Sequence, residues 1–176
     1  MKPTLTTLAL VAAITLIPAL TLTGQQQPDP IRIGVYDNRA IAIAYAASES
    51  HNQMLAEVRE QYEKAKADDN KQQIRAIGQR MQTHQEAMHF QGFGRAPVND
   101  LLEPIHDDLR QLAADLDLAA ITRECDVTAA NVETVDITEQ IVELYNPSER
   151  TRNTVASVRK ADPIPLTTIA HMGHNH

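Results

Sequence analysis

Seven histidines are the residues best suited to chemistry in this 176-residue chain, and three of them close it in the run His171-Met-Gly-His174-Asn-His176. Three imidazoles and a thioether within six residues could hold Cu or Ni, both of which bind imidazole well. The pattern supplies no groups to orient those rings, so a solvated tail with opportunistic metal affinity is the plainer reading. His84 and His89 are five apart and do not share a helical face as an i, i+4 pair would. No His-Glu-x-x-His accompanies them, and they read as polar positions on a helix. Asp68-Asp69 and Asp107-Asp108 are adjacent pairs; adjacent side chains diverge on a helix, so neither is a catalytic dyad. Gly92-Phe-Gly94 lacks the Gly-Lys-Ser/Thr of a phosphate loop and reads as a helix break or a hinge with Phe93 as a contact point. With no nucleophile–base pair and no metal constellation, the expectation is a non-enzymatic protein without a cofactor.

Composition narrows the class further. The formal net charge is −7, with one cysteine, Cys125, and no tryptophan. An acidic chain lacks the basic footprint of a nucleic-acid binder. One cysteine cannot form an intrachain disulfide, and Cys125 reads as a small hydrophobe in a strand. Residues Thr4 to Leu22 are apolar or Thr and follow a single Lys2. They read as a secretory signal peptide over residues 1–24; an uncleaved anchor is the alternative, weakened by Pro18 and the threonines. Removal takes away Lys2 and no acid, leaving fifteen basic and twenty-three acidic residues, a net charge of −8.

The remaining elements follow from periodicity. Residues 25–30 form a polar linker with two prolines. Ile31, Ile33 and Val35 alternate with Arg32, Gly34 and Tyr36 as a strand does, and Asp37-Asn38 offers a helix N-cap. Ile41, Tyr45, Ser48, Asn52, Leu55, Val58, Tyr62 and Ala65 recur every three or four residues, which predicts one helix with a thin heptad-like stripe. A second stripe, Ile74, Ile77, Met81, His84 and Met88, is out of phase with it. The Asp/Asn cluster at residues 67–71 is therefore read as a hairpin tip, against one continuous helix with a stutter. Gly92, Gly94 and Pro97 break the returning helix. Val98, Leu101, Leu102, Ile105, Leu109, Leu112 and Leu116 then give the cleanest amphipathic pattern in the chain. Leu118–Thr122 and Cys125–Thr128 are short strand candidates, with a loop over residues 129–134. Asp136 and Glu139 form a capping box for a helix over 137–144. A last helix, with Pro147 at its first position, runs to about Lys160. Residues 161–176, after Pro163 and Pro165, are expected to be a disordered His-containing tail.

The opening strand Ile31-Arg-Ile-Gly-Val-Tyr-Asp37 resembles the start of the Skp (OmpH) family of periplasmic chaperones. So do two later segments: Asp115-Leu-Asp-Leu-Ala-Ala-Ile and Val135-Asp-Ile-Thr-Glu-Gln-Ile-Val-Glu-Leu144. The resemblance covers roughly residues 31–145 by order of elements. It implies an α+β, mainly helical fold over residues 31–160, in which a small β body carries a projecting antiparallel coiled-coil hairpin, here about residues 40–116. It also implies a periplasmic homotrimer whose hairpins enclose unfolded outer-membrane or envelope proteins without ATP. Met54, Tyr62, Met81, Met88, Phe90 and Phe93 are then the client-binding candidates, since thioethers and aromatics adapt to varied partners. Three features depart from the family: the chain is acidic where well-known members are basic, the break at Gly92–Pro97 interrupts the returning arm, and a helix extends past the family's usual end. Residues 57–95 hold seven basic and six acidic side chains, so the arm itself is near neutral. The other readings are a scaffolding protein of the cell envelope, or a periplasmic metal binder acting through His171, His174 and His176. Membrane contact is expected only if the N-terminal segment stays attached.

Overall fold

A computed structural model describes residues 29–165 and 167–169. The expected signal peptide, most of the linker, and His171, His174 and His176 lie outside these residues. Within them the protein is mainly helical, with seven α-helices around one three-stranded sheet.

The sheet is built on β1 (Ile31–Val35), which lies between β2 (Ala120–Thr122) and β3 (Val132–Asp136) and is parallel to both. Residues 123–131 carry the chain from β2 back along β1 to the start of β3 without a helix. The strands are so short that nine residues, reaching roughly 30 Å when extended, are enough. Register places Gly34 beside Ile121 and Val135. These residues, with Tyr36 and Ile137, face the helices and join the core. Gly34 has a specific reason to lack a side chain: a Cβ there would lie 2.7 Å from Ile137 Cδ1 and 2.9 Å from Leu118 Cδ1. The opposite face carries Ile31, Ile33, Val35 and Val132, which take no part in the core, and Ile31 is 47% exposed.

Asp37 ends β1 and starts α1 (Asn38–Ala46), accepting the Arg39 N–H at 2.9 Å. The helix is buried almost all round: Ala40, Ile41, Ala42, Ala44 and Tyr45 are all core residues. It touches α3, α4, α6 and α7. Next come α2 (Glu49–Ala67) and α3 (Lys71–Gly92), joined by Asp68–Asn70. These two helices lie against each other. Arg80 donates to Gln61 at 3.0 Å, and the ring of His51 faces that of His84. Each ends in a Schellman motif, with Asp69 (φ 47°) and Gly94 (φ 72°) in the left-handed region. The chain continues through α4 (Asn99–Leu102), a 3-10 turn holding Pro104, and α5 (His106–Asp115). It closes with α6 (Thr138–Glu143) and α7 (Glu149–Lys160).

Several segments differ from the sequence expectation. The stripe read as one helix from Ile41 to Ala65 is two helices, because Ser48 leaves helical geometry to cap α2 through His51 N–H. The segment expected as loop over residues 129–134 instead holds the start of β3, which runs from Val132 to Asp136. Val132 and Val135 point to opposite faces, so no period-two signal marks the strand, and its partner β1 lies a hundred residues away. Cys125–Thr128, expected as a strand, is irregular; Val127 is 91% exposed and Cys125 only half-buried. Pro147 precedes the last helix instead of opening it: Ser148 is the cap and accepts the Thr151 N–H at 3.2 Å.

Gly34→Ala should lower unfolding free energy by about 1–3 kcal/mol, the usual cost of forcing atoms into a packed core. Urea unfolding followed by circular dichroism measures it, and an unchanged midpoint would mean that Leu118 and Ile137 can move aside freely.

Candidate functional site

A groove of 470 Å³ opens where α1, α2 and α3 meet. Its floor is made of small and apolar groups from α1, namely Ala42, Ile43 and Ala46. The bend at Ala47–Ser48 swings α2 away from the axis of α1 and brings His51 and Leu55 to one wall. Met81, His84 and Met88 form the other wall, spaced i, i+3, i+7 along one face of α3. No carboxylate lines the groove.

Two imidazoles hold its centre. The His51 ring meets Tyr45 edge-on at 5.2 Å and lies over His84 at 5.6 Å, with the planes 27° apart. His51 Nδ1 and His84 Nε2 are both shielded from solvent and have no hydrogen-bond partner. Burial pushes the pKa of His51 down, and the neighbouring His84 pushes it further. Both effects favour a neutral ring, because a proton there would lose hydration and face a second imidazole.

The sequence candidates divide. Met81 and Met88 line the groove, and Met88 also packs against the core. Met54 is half-buried on α2 and is not among the groove residues. Tyr62 and Phe90 are on the outer surface of the arm, 39% and 46% exposed. Phe93 caps α3 and lies 6.3 Å from the His89 ring. The six residues therefore do not form one surface. His84, expected as an ordinary polar position, is half-buried, and its partner His51 went unread because the two meet across helices and not along one.

The ends of β1 and β3 carry a second polar cluster, in which every charged group is engaged. Burial tends to raise the Asp37 pKa, but hydrogen bonds and charge from Arg39 outweigh it and hold the carboxyl below its ordinary value. Asp136 accepts from the Thr138 N–H at 2.9 Å and pairs with Arg159, which also reaches Glu139 at 3.1 Å. Thr138 Oγ accepts the Asp37 N–H at 3.1 Å, joining the two strand ends. The Asp-Ile-Thr string thus ties the ends of β1 and β3 together.

Among the described residues, no three of His, Cys, Asp or Glu gather in a metal-binding group, and no helix is long and apolar enough to cross a membrane. No protein-family model, curated protein or solved structure matches the chain.

The lowered pKa of His51 predicts a pH effect. A group that binds protons less well when folded contributes stability in full above its unfolded value of 6.5 and loses it as pH falls through the lower folded value. Between pH 7.5 and 5.5, the melting temperature of the protein should therefore fall more than that of His51→Gln. Parallel falls would show that the ring titrates as though unfolded.

Proposed function

We propose that this chain is an ATP-independent holdase of the Skp type, exported to the periplasm, that keeps non-native outer-membrane or envelope proteins from aggregating. The observation that carries the reading is the apolar, methionine-walled groove at the base of the α2–α3 arm, beside a small sheet body. In this reading α2 and α3 are the projecting antiparallel coiled-coil hairpin, shortened by the break after Gly92. The uncovered sheet face with Ile31, Ile33, Val35 and Val132 is where three bodies join. A body of three short strands buries little apolar area by itself, and small folds commonly gain stability by associating. Met81 and Met88 supply adaptable contacts for clients of no fixed sequence. Leu55, Tyr62 and Phe90, exposed along the arm, add weak contacts that act together.

One observation favours a second reading, a scaffolding module of the envelope. Along α2 and α3 only Ala65, Ile77 and Gln91 are buried. The arm is otherwise mostly polar, as suits a spacer better than a cage wall.

Salt separates the two. Basic holdases capture acidic clients by charge, which salt screens; a near-neutral arm must grip through apolar contact, which kosmotropic salt strengthens. Light scattering of an unfolded β-barrel protein should show aggregation suppressed at least as well at high as at low sodium sulfate. Suppression at neither concentration would leave the scaffold, and suppression only at low salt would overturn the apolar grip.

A further inference from the structure

We propose that the stacked pair of His51 and His84 is an acid-sensitive latch. Uncharged, it holds the first turns of α2 against α3; when it takes up protons, the base of α2 swings away about the bend at Ala47–Ser48 and opens the groove. The proposal rests on the geometry of the groove and not on the holdase reading, under which the same step would release a bound client.

The two rings lie 5.6 Å apart with planes 27° from parallel. Neutral rings so placed pack together, whereas two imidazolium rings would set like charges over one another. His51 Nδ1 and His84 Nε2 are shielded from solvent and have no hydrogen-bond partner among the described residues. That is a desolvation cost which the contact between the rings has to offset. The closed base of the arm is therefore held by a narrow margin.

Nothing in the groove compensates a proton. From α1 come Tyr45, edge-on to His51 at 5.2 Å, and the apolar floor of Ala42, Ile43 and Ala46. From α3 come His84 and a third imidazole, His89. Among the described residues, no carboxylate, lysine or arginine lines the groove. The acids nearest in sequence, Glu49 on α2 and Glu86 on α3, each accept from a glutamine of their own helix, Gln53 at 3.2 Å and Gln82 at 3.1 Å. Every proton the groove takes up thus adds positive charge beside Leu55 and Met81 with no partner of opposite sign. Burial and the neighbouring His84 already depress the His51 pKa, as expected of a ring that resists protonation while the groove is closed.

The structure also provides a part that can move. At Ser48 the chain leaves helical geometry, and of the nineteen residues of α2 only Ala65, near the tip, is buried. By contrast α3 is fixed to the body: Met88 packs against the core, and Gln91 donates to Pro97 O and to Asp100. Segments with few buried groups open at low free-energy cost. Opening returns His51 to water, where it binds protons with its ordinary value of 6.5. The sign follows: the latch holds in full above pH 6.5 and weakens as pH falls below it. The opening constant rises by up to about tenfold per pH unit for the His51 proton.

The test uses the full chain with Cys125→Ser and spin labels on Asn52→Cys in α2 and Thr83→Cys in α3, both exposed positions. Between pH 7.5 and 5.5 the distance between the labels should lengthen and its distribution broaden. A second pair, Thr83→Cys with Arg150→Cys on α7, should not change, because α3 stays on the body. His51→Gln, His84→Gln and the double variant keep polarity but remove a charge change; at least one that is closed at pH 7.5 should stay closed at pH 5.5. Hydrogen exchange of the unsubstituted chain, corrected for its intrinsic pH dependence, should lose protection over residues 49–58 by roughly tenfold more than over α1. No lengthening in the parent, equal lengthening in every glutamine variant, or an arm already open in all three at pH 7.5 would each overturn the proposal. So would an equal change at the α3–α7 pair, or loss of protection no greater in α2 than in α1.

Discussion

The body of the fold is organised by close packing on α1. Alanines at positions 40, 42 and 44 leave its backbone open to contact from several directions, and α3, α4, α6 and α7 all use that space. Ile41 and Tyr45 fill what remains, and Tyr45 meets Tyr145 edge-on at 6.3 Å. Tyr145 in turn donates its hydroxyl to Leu101 O at 2.7 Å, tying α6 to α4, and burial pushes its pKa well above the ordinary value. Larger residues at the alanine positions would push these layers apart, and the sheet would lose the helical cover that Gly34 admits so closely.

The same helix produces the groove. Ala42 and Ala46 are too small to fill the angle between α2 and α3, so the floor stays open while Ile43 keeps it apolar. Polar ties fix the surrounding walls. Asn38 donates to Ala96 O at 2.7 Å, and Gln91 reaches both Pro97 O and Asp100. These bonds anchor the segment after the Schellman turn at Gly94, so the break that ends α3 is ordered and also sets where its histidine and methionines stand. A helix break that looks like a flaw in a long hairpin thus positions the candidate site.

What could be read from the sequence was local. Strand 31–35, the Asp37 cap, the turn at Asp68–Asn70 and the helix ending at Lys160 each announce themselves through period, cap or breaker within a few residues. β3 did not, because its two valines face opposite ways and only pairing with β1 makes it a strand. The break at Ser48 was hidden because serine fitted the helical spacing as well as the cap. The His51–His84 pair was within reach: with the tip placed near Asp69, positions 51 and 84 fall at similar distances on either side. The two stand on different helices, so the periodicity of either helix alone does not pair them. Met81 and Met88 share a helical stripe and line the groove together, whereas Tyr62, Phe90 and Phe93 are not among the groove residues.

In the proposed function the groove grips non-native protein, with Tyr62 and Phe90 adding weaker contacts, and the exposed side of α7 takes no part. A photo-reactive amino acid placed at Leu55, on the groove wall, tests it against the same probe at Arg150 on the exposed side of α7. With an unfolded β-barrel protein as client, illumination should give a covalent adduct at position 55 and little at 150. Equal adducts at both positions, or none at 55, would contradict the account.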